Sequence, residues 1–546
     1  MKQHKFLVAV LGIMALTAVT RVLFLDLFPV FADEAIYIRW AQLISDDWRQ
    51  YLFFAMNDGK TPLFIWMLNA FQWLHPNQLV AARLVSASAA FVQALLIAAI
   101  LRRLGARKLT QLLGMLLVAV LPFWVTYHRM ALMDGWLTVW LSAAFLSGLV
   151  LAEYPTPQLF PWQWPRKTLM AVAALGVNLG ATLWTKLPAL FFVPVLLWIP
   201  VFFFLAKTKK KKTLRGLLQS SFPYVVAVGL GLFLLVTLRI SPVFGQLFSR
   251  GQDFTFSSQE LLQGKWLESF ANMARFIGYF MQYFTWPVLV AVVAGLFSER
   301  ARKNTLLLLI SAGLFLAPFA LLGKVVHPRY LLPVSIFVTV AAALSIEAYA
   351  QKVMTEKRLP VKLGLSLVLA TLFGQVITAS SLFLVTYLTQ PDVTPFAAHD
   401  RTQYLEEWSS GHGLVETVAL IEGMMKTQRV AVATEGRFGS LPDGLLLYFH
   451  GKDVENLYLE GIGQYPVKSL PEFFTERAVE FDRVLLVVNS HRMELPIEPQ
   501  YRLEEFCRPN NAPCLQVWDV THLVRLESED SASPDIDEIS NTIHIE

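Results

Sequence analysis

The stretch FLVAVLGIMALTAVTRVLFLDLFPVFADEAIYIRW, residues 6–40, decides the fold. Residues 6–25 carry one charge, Arg21, and as a helix they are long enough to cross the ~30 Å hydrocarbon core of a bilayer. The acidic pair Asp33-Glu34 follows at once. Carboxylates beside so apolar a segment are costly to hold and raise a functional question.

The rest of the chain repeats the first pattern. Of its 546 residues 55% are hydrophobic and 16% charged, against about 25% charged in soluble domains. Apolar spans recur at about 6–25, 79–101, 109–127, 135–152, 168–184, 187–206, 217–239, 276–297, 304–322, 330–349 and 362–388. The class is a polytopic α-helical membrane protein with about eleven transmembrane helices. The stretch 62–74 is apolar but short and is expected along the membrane face. The basic start MKQHKF imitates a signal peptide, yet it lacks a small-residue cleavage site and its apolar run is too long. An uncleaved first helix is expected.

Lysine and arginine test the count. Clusters fall at Lys2/Lys5, Arg102/Arg103 with Arg107/Lys108, Arg166/Lys167, Lys207 with Lys209–Lys212, Arg300/Arg302/Lys303 and Lys352/Lys357/Arg358. Eleven alternating spans put all six on one side, which the positive-inside rule makes cytoplasmic. The location of the +5 net charge therefore matters more than its sign, and no nucleic-acid partner is expected. The N-terminus is expected in the cytoplasm of a multi-pass cell-membrane protein. Residues 26–78, 128–134, 185–186, 240–275, 323–329 and everything after about 389 are expected outside.

From 390 the composition becomes that of a soluble domain. RVAVAT, VENLYLEGI and DRVLLVVN read as buried strands, with helices at TQYLEEW and LPEFFTERAV between them. A C-terminal α/β domain with a partly parallel sheet is expected over 390–526, after a membrane domain at 1–389. CRPNNAPC suggests a terminal hairpin, with Cys507 and Cys514 either bridged or as two thiols. Residues 527–546 are acidic and expected to be disordered.

The chemically able side chains gather on the outer side. Asp33 is either a helix N-cap or a general base, and Glu34 a second acid or a solvated neighbour. Tyr37, Trp40 and Ile44 share one side of the helix that follows, as an interfacial helix would arrange them. Lys60, in DGKTP, either snorkels or meets an anionic lipid phosphate. Tyr127, His128, Arg129 and Asp134 lie at one outer turn, where Arg129 and Asp134 either pair with each other or line a site. Lys186 between two spans needs an anion or a helix C-terminus. Lys324, His327, Arg329 and Tyr330 close the set, with a lone histidine more often structural than a metal ligand. Carboxylates for acid–base work beside cations for phosphate suit transfer from a lipid-phosphate donor.

The order DExxY, GKTPLFIW, ARLVSASAAF, RMALMDGWLTVW, LWTKLPALFFVPVLL, HPRYLLP over roughly residues 1–390 resembles the GT-C fold polyprenyl-phosphate-sugar glycosyltransferases. More narrowly it is similar to the protein O-mannosyltransferase and aminoarabinose-transferase superfamily. The resemblance implies a transferase moving a monosaccharide from a polyprenyl-phosphate donor to a hydroxyl of a protein, lipid or glycan. It implies Asp33 as base, Glu34 as second acid and Lys60 at the lipid phosphate. It also matches Asp134 and Arg129 to the acidic and basic positions of the second outer loop and puts Arg329 near the donor phosphate. Tyr37, Lys186, His327 and Tyr330 are further substrate-binding candidates by their place on the outer side. Some members hold a divalent metal through an acid just before the matching lysine. That place is Gly59 here, with Asp58 one residue earlier, so no cofactor follows with certainty. The family leaves the role of the C-terminal domain open.

A lipid-linked-sugar transporter or flippase is the rival. It would carry functional charges and broken helices near the bilayer midplane, whereas these charges sit at the outer edge.

Overall fold

The computed structural model describes residues 3–154, 161–206 and 213–525. Lys2, the lysine run at 207–212 and the acidic tail 527–546 lie outside them. The chain divides into two units, one of residues 1–28 and 43–400, the other of residues 29–42 and 401–546.

The first unit is helical. Among the described residues nine helices are long and apolar enough to cross a membrane, and counting each of two bent pairs as one span gives up to eleven. The spans expected to be continuous at 109–127 and 276–297 are these bent pairs. Lys108–Val120 meets Pro122–Arg129 at 57°. Pro122 has no N–H to return to Val118 and its ring crowds the preceding turn. Arg21 answers the freed carbonyls, donating to Val118 O at 2.6 Å and Ala119 O at 3.0 Å. Lys265–Phe284 meets Trp286–Gly295 at 107°. Thr285 at the corner has φ +63°, a rare conformation for a β-branched residue, and Pro287 follows it.

Small residues let these helices approach closely. Gly176 and Gly180, spaced as G-x-x-x-G, face Leu230 and Leu234, and Gly231 returns the contact to Leu179. A Cβ on Gly180 would come within 2.4 Å of Leu234. Gln93 donates to Ser142 Oγ at 2.8 Å, a buried polar tie between two spans.

The second unit is built on five strands: β1 (Val430–Thr434), β2 (Leu457–Gly461), β3 (Arg483–Asn489), β4 (Arg502–Phe506) and β5 (Leu515–Asp519). Their order is β2-β1-β3-β5-β4. The first three are parallel, and β5 and β4 add antiparallel. The expected partly parallel sheet and terminal hairpin are both present, and Cys507–Cys514 is a disulfide. The segment 402–406 is a π-helical turn, and Leu414–Met425 and Asp443–Phe449 are helices that the sequence did not announce.

Residues 29–42 fold with this unit rather than with the spans on either side. Phe31 bridges Ser410, Ala32 N–H donates to Ser409 O at 2.9 Å, and Gly411 N–H donates to Val30 O at 2.7 Å. Gln42 Nε2 donates to Leu447 O at 3.0 Å.

Candidate active site

Three arginines near the outer end of helix Gln3–Val22 are held by backbone. Arg21 serves the kink described above. Arg129 donates to Thr20 O at 3.1 Å, Leu23 O at 2.8 Å and Phe24 O at 3.0 Å, and its guanidinium lies over the Tyr387 ring. Arg83 donates to Leu25 O at 2.6 Å and Phe28 O at 2.8 Å. Arg129 thus binds one carbonyl of the last helical turn and, with Arg83, carbonyls of the segment that follows it. They fix the chain as it leaves the first helix. Arg129 therefore does not pair with Asp134 across the turn, an option the sequence left open.

Asp134 binds Lys186 instead, at 2.7 Å, with side-chain exposures of 3% and 16%. The Lys186 ammonium also lies 4.5 Å from the centre of the Tyr330 ring. It has three donors, and Asp134 takes one. Lys186 and Tyr330 share the wall of a cavity of ≈290 Å³ with Lys60, Arg250 and Phe254. Pro188, Leu190, Phe191, Pro318 and Phe319 make its apolar side. Gly59, at φ +70°, ends the short helix Phe54–Asp58 and turns the chain into Lys60. The Lys60 ammonium stands 4.0 Å from Asp58 and 5.7 Å from the centre of the Phe254 ring.

Arg250 was missed in the sequence. It donates to Asp58 at 2.5 Å and lies over Phe254. The available signal was an arginine flanked by aromatics in an outer loop, FSRGQDFTF at 248–256. The same pairing bears on a metal. Asp58 faces two cations, so its carboxylate is already engaged, and Gly59 offers no side-chain ligand. The one metal-like grouping among the described residues is Glu505 with Cys507 and Cys514, whose sulfurs are bonded to each other. Neither place fits a catalytic metal.

Arg329 is buried and its guanidinium lies 5.7 Å from the Tyr330 ring centre, beside rather than on the cavity wall. His327 packs edge-on against Tyr330, and its Nδ1 is 2.6 Å from His399 Nε2. Burial, with Arg329 and His399 nearby, pushes His327 down to about 2, so it is neutral at physiological pH. His399 is lowered too, by burial and then by Arg329.

In the second unit the acidic pair opens the helix Ala32–Asp46. Glu34 is fully buried, and its Oε2 accepts the Phe31 N–H at 3.0 Å. It is the reach-back half of a capping box, a residue three into the helix satisfying the N-cap N–H. The expectation of a solvated Glu34 is thus corrected. Asp33 is half-buried. Tyr37, Trp40 and Ile44 are all buried, with Tyr37 tilted against Trp40. The side expected to meet lipid is packed inside protein, and the opposite side lies against the helix Asp443–Phe449 through Ala35 and Gln42.

A family model for dolichyl-phosphate-mannose-protein mannosyltransferase matches residues 42–239. The fold is similar to that of ArnT from Cupriavidus metallidurans in the apo state, at 15% identity over 95% of this chain and 98% of that one, TM-score 0.57. The same protein bound to undecaprenyl phosphate matches at 14% identity, with the same coverage and TM-score. The Archaeoglobus fulgidus oligosaccharyltransferase in its apo form matches at 10% identity over 89% of this chain and 70% of that one, TM-score 0.53. A search of curated proteins finds no match. The chain has the GT-C fold expected from its sequence.

Proposed function

We propose that the protein is an integral-membrane glycosyltransferase that moves a monosaccharide from a polyprenyl-phosphate donor to an acceptor hydroxyl outside the cytoplasm. The observation that carries this is the cavity that Lys60, Lys186, Arg250 and Tyr330 line together with an apolar wall. A lipid phosphate presents that combination, an anion joined to a hydrocarbon chain. The match to the mannosyltransferase family model over residues 42–239 supports the same reading.

In this reading Asp33 takes the proton of the acceptor hydroxyl as its oxygen bonds to the anomeric carbon. The bond from that carbon to the phosphate oxygen breaks, and its electron pair stays on the phosphate. Lys60 and Lys186 stabilise the added charge as it develops. Glu34 holds the helix start that carries Asp33. One displacement inverts the anomeric centre, and with Glu34 buried in its cap no second carboxylate of this helix is placed to form a covalent intermediate. The N-terminus is assigned to the cytoplasm and the sheet domain to the outer side.

The flippase rival gains the two broken spans. However, the carbonyls freed at the first break are bound by Arg21, and Phe123 beyond it stacks on Tyr283 near the second. The first break therefore presents no open carbonyl to a passing sugar. The test is incubation of the purified protein with a panel of polyprenyl-phosphate sugars, scored for released polyprenyl phosphate. Release with one donor supports the transferase. No release across the panel from a folded sample overturns it.

A further inference from the structure

The parallel strands of the second unit end on one edge. β1 runs into Glu435-Gly436-Arg437-Phe438, β2 into Ile462-Gly463-Gln464-Tyr465, and β3 into Ser490-His491-Arg492. Open sheets of this kind bind ligands outside the carboxyl ends of their strands.

This edge is built in a particular way. The Arg492 guanidinium lies between two rings, 4.7 Å from the centre of Trp408 and 5.3 Å from that of Tyr465. Glu435 holds it there at 2.8 Å and accepts both the backbone and side-chain N–H of Asn489. Arg492 is thus neutralised and serves as a plate between the rings. Tyr465 and Phe438 remain 62% and 61% exposed. Arg437 is exposed and makes no ion pair among the described residues. Its side chain lies across Gly463, where a Cβ would come within 2.5 Å of Nε. At the ends of β1 and β3, Thr434 Oγ1 and Asn489 Oδ1 are buried without a hydrogen-bond partner, an uncommon state that calls for an explanation.

The same edge is joined to the candidate base. Ser440 Oγ donates to Trp408 O at 2.6 Å, and Gly439 lies beneath the Trp408 ring. Ser409, the next residue, accepts the N–H of Ala32, which precedes Asp33. The aromatic plate and Asp33 are therefore set by one short run of backbone.

We propose that this edge is the acceptor subsite and that it takes an anionic saccharide. The pyranose C–H faces lie on Tyr465 and Phe438, and a carboxylate or phosphate lies on Arg437. An uncompensated cation beside two open rings, with Gln464 and His491 between strand ends, suits a hydroxyl-rich anion better than an apolar side chain. The proposal rests on the transferase reading for its word acceptor, but its binding claim is tested apart from turnover.

The test uses the full chain in detergent, with methyl glucoside, methyl glucuronide and glucose 6-phosphate as probes in saturation-transfer NMR. The charged sugars should bind about 10-fold or more tighter than the neutral one, the lower end of one charge-assisted hydrogen bond. Arg437→Gln should erase that preference. Tyr465→Ala with Phe438→Ala should weaken all three sugars by about 5-fold or more. These side chains are exposed, and unchanged melting temperatures verify that the variants fold. Equal binding of neutral and charged sugars, or wild-type binding by the double variant, overturns the proposal. So does binding of a serine-containing acidic peptide in place of the sugars. Sugar binding with no polyprenyl phosphate released from any donor overturns the transferase reading and leaves the saccharide subsite standing.

Discussion

Two sets of cations sit in the first unit, and they do opposite things. Arg21, Arg83 and Arg129 are aimed at backbone carbonyls at a proline kink, at the end of the first helix and in the segment after it. Lys60 and Lys186 stand on a cavity wall with donors still available beyond their carboxylate neighbours. Both sets look alike as letters beside apolar runs. What separates them is whether the fold has already placed acceptors around the charge. Arginine, with five donors in a planar fork, suits the first task, and the compact ammonium of lysine the second.

That contrast can be broken most forcefully at Arg129. Arg129→Ala should take the donor from one buried and two part-buried carbonyls, at roughly 1–3 kcal/mol for the buried one and less for the others. The expected outcome is loss of folded, monodisperse protein, measured by size-exclusion yield and melting temperature. A well-folded Arg129→Ala with impaired transfer would move Arg129 to the other set. Lys60→Ala should do the reverse, with a normal melting temperature and transfer down by about 30- to 100-fold, the size of one charge-assisted contact.

The spans were legible because a bilayer demands about twenty apolar residues and a charge bias between them. The acidic pair and DGKTP were legible because polar residues beside such spans are few. The partners were not. Asp134 and Lys186 meet across 52 positions of sequence, while Arg129, five positions from Asp134, turns to the first helix. The roles within Asp33-Glu34 hung on where the helix begins, since a reach-back bond needs its acid three residues in. The burial of Tyr37 and Trp40 was hidden because periodicity marks an apolar side of a helix but not whether lipid or protein covers it. The bends had local signals, Pro122 at the first and Pro287 two residues past Thr285 at the second, that the hydropathy average smoothed over.

Smaller effects sharpen the comparison. Asp134→Asn removes the carboxylate of the Lys186 pair while keeping its shape. Transfer should fall by about 10- to 30-fold as Lys186 loses its fixed position, and unchanged kinetics would show that Tyr330 alone holds it. The smallest effect concerns pH. His327 is depressed to about 2 in the folded protein, so below its ordinary value of ~6.5 the unfolded chain binds the extra proton. Its contribution to stability is therefore full above about pH 7 and declines by at most about 1.4 kcal/mol for each pH unit below 6.5. Melting temperatures between pH 7 and 5 should fall less steeply in His327→Gln. An identical slope would remove His327 from this account.

The central claim is that Lys60 and Lys186 form a lipid-phosphate site while Asp33 serves the chemistry alone. Equilibrium binding of undecaprenyl phosphate to wild type, Asp33→Asn and the double variant Lys60→Ala with Lys186→Ala tests it most directly. Asp33→Asn should bind as wild type does yet transfer no sugar, and the double variant should bind about 100-fold or more weakly, as expected for two lost charge-assisted contacts. Wild-type affinity in the double variant, or turnover by Asp33→Asn, would contradict it.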